Sequence, residues 1–416
     1  MNTSLINSTN FLTQKKSDQI NFRIDFIKEI LNGKQLKPLF MSLNDNILGL
    51  ESTESTKTGN KDIRTILQKD FFKLNHVINE LGGKLTYVKS GSTGHTFRAV
   101  TPINNENEET IDYAVKIVAY PKRENYGNMY EISRPENAEL LMLTVLSYFV
   151  KNKQTPHIVL PMCTFNTSIK PIVKLPKECV NNNKKFDQFI KKYEKKEYYD
   201  KLSVLISEWV NGGDLLDYIR KNYRNFTIKH WRVLFFQIIS VLAVIHAKYP
   251  AFRHNDLKAN NILVQLIETL KEKNNMYKYK INDHVYVVPN VGFQIKIWDF
   301  DFACIPGIVD NAKVSAEWTS KINVNPERNQ YYDIHYFFNT FYRKGFFPEF
   351  FTSDLIPIKV KEFVRRVVPQ EYMESSTDDK NPKVHERGRL LVNDEYTTPN
   401  ILLQTDPFFE KMRIKS

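Results

Sequence analysis

The chain has 416 residues, of which 42% are hydrophobic and 25% charged, a balance that allows sizeable buried cores and excludes a disordered or low-complexity polypeptide. Its formal charge of +12 admits nucleic acid, anionic membranes or acidic proteins as partners. The lysines accompany many Asn, Ile, Tyr and Phe residues, which share A/T-rich codons. Genome composition therefore accounts for much of the charge, and no specific nucleic-acid partner is predicted.

In chain order, Met1 to Gln19 is polar and lacks the pattern of a signal peptide. Residues 1–80 read as an N-terminal extension, with a polar stretch at Glu51–Asn60 and a helical pattern over Ile63–Leu81. Strand-like sequence runs from Leu85 through Val118. Within it, Ser90-Gly91-Ser92-Thr93-Gly94-His95-Thr96-Phe97 supplies glycines that let backbone N–H groups approach an anion closely. An ordinary hairpin turn explains that run equally well. Ala114-Val115-Lys116-Ile117-Val118 places a lysine inside an apolar strand, where it needs a counter-charge if buried. The next helix, running to Val150, offers Glu136 and Glu139. Glu139 is preferred because Met142, Leu143 and Leu146 face inward from the same helix. Residues 166–200 form a polar, basic insertion too long for a hairpin loop, and its lysines (Lys184, Lys185, Lys191, Lys192, Lys195, Lys196) read as a solvated helix face.

Ile206-Ser207-Glu208-Trp209-Val210-Asn211-Gly212-Gly213-Asp214-Leu215 reads as a strand end followed by a helix cap at Asp214. Mostly helical sequence follows. Its longest apolar stretch, Val233 to Ile245, is interrupted by Gln237 and Ser240 and is too short for a bilayer. It is expected to be a buried helix, and no transmembrane segment is predicted. His254-Asn255-Asp256-Leu257-Lys258-Ala259-Asn260-Asn261 then sits between this apolar helix and the strand-like Ile262-Leu263-Val264. A carboxylate, a lysine two residues on and an asparagine five residues on suit phosphoryl transfer, which needs a base, a cation and a metal-holding amide oxygen. A second insertion spans about 265–292, and its alternation near His284–Val288 suggests a β-hairpin. Ile295 to Ile297 is a strand that delivers Asp299, where a carboxylate can bridge metal to phosphate. The three cysteines, Cys163, Cys179 and Cys304, show neither disulfide nor zinc spacing and suit a reducing compartment.

Taken together and in this order, these stretches resemble the motifs of protein kinases. The resemblance implies an α+β, two-lobed fold, with a β-rich small lobe at 81–207 and a helical large lobe at 208–416. It implies ATP bound between the lobes, with Gly91 and Gly94 on its phosphates and Lys116 on the α- and β-phosphates, oriented by Glu139. The backbone of Glu208 and Val210 would meet adenine and Asp214 would lie near ribose, with Ala114 and Leu263 completing the nucleotide set. Asp256 would receive the acceptor hydroxyl proton, and Lys258 would stabilise the moving phosphoryl group and favour serine or threonine over tyrosine. Asn261 and Asp299 would hold Mg²⁺, with Mn²⁺ as a substitute. Phe300 would pack under the helix carrying the ion-pair glutamate, and Asp333 would support the catalytic-loop backbone.

More narrowly, residues 85–345 resemble the serine/threonine protein kinase of poxviruses and related kinases of giant DNA viruses. The carriers are H-N-D-L-K-A-N-N, the insertion after it, D-F-D-F at 299–302, and Tyr331-Tyr332-Asp333-Ile334-His335-Tyr336-Phe337. That resemblance implies viral structural proteins as substrates during virion assembly, and localisation to the host cytoplasm, its viral factories and the virion. Lys89 replaces the first glycine of the loop, Asn255 replaces an arginine, and Asp301 replaces the glycine after Phe300. Asn255 and Asp301 also fit small-molecule kinases of the choline or aminoglycoside type, and the incomplete glycine loop together with Asp301 fits a nucleotide-binding scaffold without turnover. Both alternatives stay open on sequence.

Overall fold

The computed structural model describes residues 20–41, 62–91, 94–102, 110–267, 276–374 and 382–414. The fold is α+β, and the chain divides into two compact units. The first comprises residues 1–148, 159–209 and 309–312; the second comprises 149–158, 210–308 and 313–416.

The first unit is built on a sheet of five antiparallel strands whose spatial order is Lys84–Ser90, Gly94–Pro102, Thr110–Pro121, Tyr198–Glu208 and Pro161–Ser168. Helix α1 (Ile20–Leu31) precedes it and buries Ile24, Ile27 and Leu31, a spacing that puts one helical stripe on the core. Helices α2 (Ile63–Leu67) and α3 (Leu74–Leu81) follow. Asp62 caps α2 by accepting the Arg64 N–H. The strands are β1 (Lys84–Ser90), β2 (Gly94–Pro102), β3 (Thr110–Pro121), β4 (Pro161–Ser168) and β5 (Tyr198–Glu208), with α4 (Pro135–Lys151) between β3 and β4. Register places Lys116 on β3 opposite Thr96 on β2 and Leu205 on β5.

The insertion between β4 and β5 carries a short helix, α5 (Lys170–Val173), and α6 (Lys184–Glu194), which Asn183 caps through the Lys185 N–H. The lysines of α6 and its C-terminal turn are exposed. Phe186 and Phe189 turn inward, and both meet the ring of His95 edge-on, at 4.8 and 4.7 Å between centroids. The insertion thus braces the strand that leaves the glycine run.

The second unit contains α7 (Leu215–Asn222), α8 (Ile228–Lys248), the paired strands β6 (Ile262–Leu266) and β9 (Phe293–Ile297), and the hairpin of β7 (Met276–Ile281) with β8 (His284–Pro289). Helices α9 (Glu317–Ser320), α10 (Tyr332–Asn339), α11 (Glu349–Thr352), α12 (Ile358–Val367), α13 (Gln370–Met373) and α14 (Pro399–Thr405) complete it. At 21 residues α8 exceeds the expected apolar run and is long and apolar enough to cross a membrane by length and composition, yet Val233 through His246 are buried within the unit. Its Phe235 packs on Phe338 of α10 and Phe363 of α12, at 4.9 and 5.6 Å; each such aromatic contributes roughly 1.5–3 kcal/mol by leaving water. The hairpin within the second insertion presents Tyr279 and Tyr286 to Phe236 of α8, which is why its alternation showed in the sequence.

Candidate active site

In the first unit, the Lys116 ammonium lies 2.6 Å from Oε1 of Glu139, and both side chains are buried. Glu136, the other candidate, is instead paired with the buried Arg134 at 3.0 Å. The two glutamates lie about one turn apart on the same side of α4, and Arg134 holds the first while the strand lysine takes the second. The glycine run closes through a 2.8 Å bond from Gly91 N–H to Gly94 O; Ser92 and Thr93 lie outside the described residues. A Cβ on Gly94 would sit 2.7 Å from the Ile117 carbonyl oxygen and 2.8 Å from Val118 Cγ2, so close approach to β3 already demands glycine there. Ala114 pairs with Ser207 across β3 and β5.

At the end of β5, the Glu208 N–H donates to Leu160 O at 3.1 Å. The Glu208 carboxylate accepts the Leu160 N–H at 2.8 Å and the Arg23 Nε–H at 2.8 Å, and a second Arg23 nitrogen meets its other oxygen. Sequence reading missed Arg23. It lies 185 residues from its partner, and an arginine on an amphipathic helix carries no local sign of what it will meet.

In the second unit, Gly212 N–H donates to Val264 O at 2.7 Å, and Val264 N–H donates to Gly213 O at 2.9 Å. This lays Asp214 against Leu263 in an antiparallel bridge. Asp214 also caps α7, accepting the Asp217 N–H at 3.0 Å. Val210, which begins this segment, is buried.

The loop at 254–261 is held from beneath by Asp333 of α10. Its Oδ2 accepts the His254 N–H at 2.7 Å, and its Oδ1 accepts the Asn255 N–H at 2.9 Å. Burial raises the pKa of the Asp333 carboxyl above the usual carboxylate value; the nearby His254 and Arg253 and the two backbone bonds pull the other way. Asn255 takes a left-handed backbone, φ +63°, which asparagine tolerates better than the arginine it replaces. Its amide donates to Phe302 O at 3.1 Å.

Asp256 is the meeting point. Its Oδ2 accepts Lys258 Nζ at 2.8 Å and Asn261 Nδ2 at 2.8 Å, and Asn261 Nδ2 also reaches the Asp256 carbonyl at 2.9 Å. Oδ1 accepts a guanidinium nitrogen of Arg389, a residue 133 positions away that sequence reading did not single out. The β6–β9 pairing sets Ile262 opposite Ile297, and Trp298 N–H donates to Asn261 O at 3.1 Å. Asn261 and Asp299 therefore come from adjacent strand ends. With Nδ2 spent on Asp256, the Asn261 amide oxygen is the atom left for a cation. Among the described residues no group of three or more His, Cys, Asp and Glu is placed to hold a metal. One carboxylate and one amide oxygen fit Mg²⁺, which keeps waters and phosphate oxygens as its other ligands.

Asp299 is also left-handed, φ +63°. The buried Phe300 ring rests on His254 at 5.0 Å. Asp301 pairs with Lys313, whose ammonium lies 3.9 Å over the Phe302 ring. Asn325-Pro326-Glu327 is an Asx turn in which Asn325 Oδ1 accepts the Glu327 N–H at 2.9 Å and Arg253 Nη1 at 2.7 Å.

The model of the protein kinase domain family matches residues 176–328. The chain is 45% identical over 396 residues to a protein of Acanthamoeba polyphaga mimivirus named as a serine/threonine-protein kinase, R400, covering 94% of this chain and 80% of that protein. A second mimivirus protein so named, R301, is 25% identical over 293 residues, 60% of this chain and 69% of its own.

Proposed function

We propose, because this chain belongs to the serine/threonine protein kinase family, that its activity runs from ATP through the residues set out above. The protein is a protein serine/threonine kinase; the residue roles, the metal and the biological setting are the proposal. The observation that carries it is the Asp256 carboxylate, held by Lys258 and Asn261 at 2.8 Å each. A fixed carboxylate can receive the acceptor hydroxyl in line with the phosphoryl group, and most of the catalysis is then positioning and charge stabilisation.

Lys116, oriented by Glu139, binds the α- and β-phosphates. Gly91 and Gly94 admit the phosphates to the backbone, and the backbone of Glu208 and Val210 orients adenine beside Ala114 and Leu263. Asp214 takes the ribose. Asn261 and Asp299 would hold Mg²⁺ or Mn²⁺. Bound there, the metal supplies charge neutralisation on the phosphate oxygens. Asp256 accepts the proton of a protein serine or threonine hydroxyl, and Lys258 steadies the transferring phosphoryl group. Asn255 and Asp301 resemble small-molecule kinases, but the 45% identity over 94% of the chain to a protein named as a serine/threonine-protein kinase favours the protein-kinase reading.

The test is labelled-phosphate transfer from Mg-ATP to a panel of acidic and basic proteins, with wild type beside Asp256→Asn. Transfer to serine and threonine that vanishes in the variant supports the assignment; undiminished transfer removes Asp256 from the mechanism. The organism of both relatives supports a giant-DNA-virus setting. There the kinase would act on viral structural proteins in the host cytoplasm and in virion assembly. Loss of phosphate from purified virion proteins when the kinase is inactivated would support that setting, and unchanged virion phosphorylation would remove it.

A further inference from the structure

The segment that carries Arg389 is a built turn. Val384 bridges Leu390, His385 N–H donates to Arg389 O at 2.8 Å, and Gly388 N–H donates to His385 O at 2.7 Å. Two buried asparagines from elsewhere in the unit hold its outer carbonyls: Asn339 Nδ2 donates to Gly388 O and Asn323 Nδ2 to Leu390 O, each at 2.9 Å. Leu390 is fully buried. From this clamp the Arg389 guanidinium reaches Asp256 Oδ1 and Asn255 O, donates to the Tyr332 hydroxyl at 3.2 Å, and stacks 4.2 Å from the centre of the Tyr336 ring.

We propose that Arg389 is a positioning residue for phosphoryl transfer, which fixes the Asp256 carboxylate and selects the lone pair that receives the acceptor hydroxyl. The inference rests on the reading of Asp256 given above. A carboxylate offers about four acceptor sites. Lys258 and Asn261 occupy those of Oδ2, and Arg389 occupies one on Oδ1, so a single direction on Oδ1 is left for the hydroxyl. By bridging the Asn255 carbonyl and the Asp256 side chain, the planar guanidinium also ties the carboxylate to its own backbone, which a lysine ammonium cannot do with the same geometry. Burial by itself would lower the pKa of Arg389; Tyr332, Tyr336 and Asp256 more than offset it and raise it further, so the group stays charged. A plug that leaves the site on activation would need an exposed, loosely held segment. Arg389 is only 8% exposed and its neighbours are anchored from two sides, so the contact is part of the working site.

The experiment is steady-state kinetics on the full chain with Mg-ATP and an accepted protein substrate, for wild type, Asp256→Asn, Arg389→Ala, Arg389→Lys and the double variant Asp256→Asn/Arg389→Ala. Arg389→Ala should lower kcat by about 10²-fold, the scale of a misplaced catalytic group, while KM for ATP changes little. Free guanidinium below denaturing concentrations should restore part of the loss. Arg389→Lys should fall between, and the double variant should be no slower than Asp256→Asn. If Arg389→Ala fails to fold, Arg389→Lys decides, and a wild-type kcat there overturns the proposal. Wild-type or higher kcat in Arg389→Ala, or loss without guanidinium rescue, also overturns it. Undiminished turnover in Asp256→Asn instead fells the reading of Asp256, an outcome distinct from an inactive Asp256→Asn beside a fully active Arg389→Ala.

Discussion

Lys69 is a lysine buried in the first unit without a carboxylate among its hydrogen-bond partners. Its ammonium donates to the Tyr120 hydroxyl at 2.7 Å, to Ser203 Oγ at 2.7 Å and to Asn137 Oδ1 at 3.4 Å. Burial pushes its pKa down to about 7, and the more distant Glu136 only partly opposes this. The folded state therefore holds this proton less tightly than the unfolded chain, where lysine titrates near 10.4. Stability then rises with pH wherever the unfolded state binds more protons, here from about pH 7 upward to the unfolded value. The slope approaches ~1.4 kcal/mol per pH unit once the folded lysine is neutral. Between about pH 7 and about pH 9, wild type should gain about 2 kcal/mol relative to Lys69→Met, which keeps the stem and has no proton to lose. Hydrogen exchange of the β3 and β5 amides, corrected for the intrinsic pH dependence of exchange, reads the stability of this unit alone. Wild type and variant protected in parallel across that window would refute the reasoning. The stake is functional: Tyr120 lies four residues from Lys116 on β3, and Asn137 lies two before Glu139 on α4.

Glu139→Ala leaves the Lys116 ammonium buried without its 2.6 Å partner; kcat/KM for ATP should fall by about 10²-fold or more, measured at saturating protein substrate. Asp333→Ala strips the acceptor from two buried N–H groups, worth roughly 1–3 kcal/mol each. Asp333→Asn keeps one acceptor and should lose about half as much, a contrast readable by denaturant titration alongside kcat. Gly212→Ala would set a Cβ against the Val264 carbonyl, 3.1 Å from both its carbon and Val264 Cβ. It should destabilise the second unit by about 1–3 kcal/mol, seen as a lower melting temperature, with catalysis falling as Asp214 and Leu263 separate.

What was legible in the sequence was local. Asp256, Lys258 and Asn261 share one loop, so their meeting required only the turn that joins α8 to β6. Glu139 was preferred over Glu136 for the apolar Met142, Leu143 and Leu146 that follow it, yet α4 is buried on nearly every side, both glutamates included, and it is Arg134 that takes Glu136 and leaves Glu139 to the strand lysine. The hairpin of the second insertion declared itself through alternation. Gly94 was legible as a residue but not as a cause: its glycine is demanded by β3 packing, whatever it also does for a phosphate. The illegible parts are the long-range ion pairs. Arg23 on Glu208 and Arg389 on Asp256 join segments whose local patterns say only amphipathic helix and polar turn. Charge complementarity across such separations is set by the packed fold, and a single sequence carries no periodicity that reports it.

Replacement of the expected arginine by Asn255 shows how the loop's neighbourhood is organised. An arginine there would project a charge toward the following segment. Asn255 instead accepts a left-handed backbone and spends its amide on the Phe302 carbonyl at 3.1 Å, stapling the catalytic loop directly to the chain just past Asp299. Asp301 extends the same principle one step further by pairing with Lys313. The Thr319 hydroxyl is buried and has one proton to give, which the Ala316 carbonyl takes at 2.6 Å, with the carbonyls of Lys313 and Val314 beside it at 3.1 and 3.2 Å. The path from Asp299 to α9 is thus fixed by internal bonds at Phe302, Lys313 and Thr319. A phosphate on Thr319 would have to break that hydroxyl's bond and leave a buried site to reach solvent, and it would find an amide at position 255 where a guanidinium would have met it. The guanidinium in this site comes from Arg389 and is directed at the Asp256 carboxylate itself. On the proposed role of Asp256, this charge serves the geometry of the acceptor step, in a segment whose order is already supplied by neutral and ion-paired contacts.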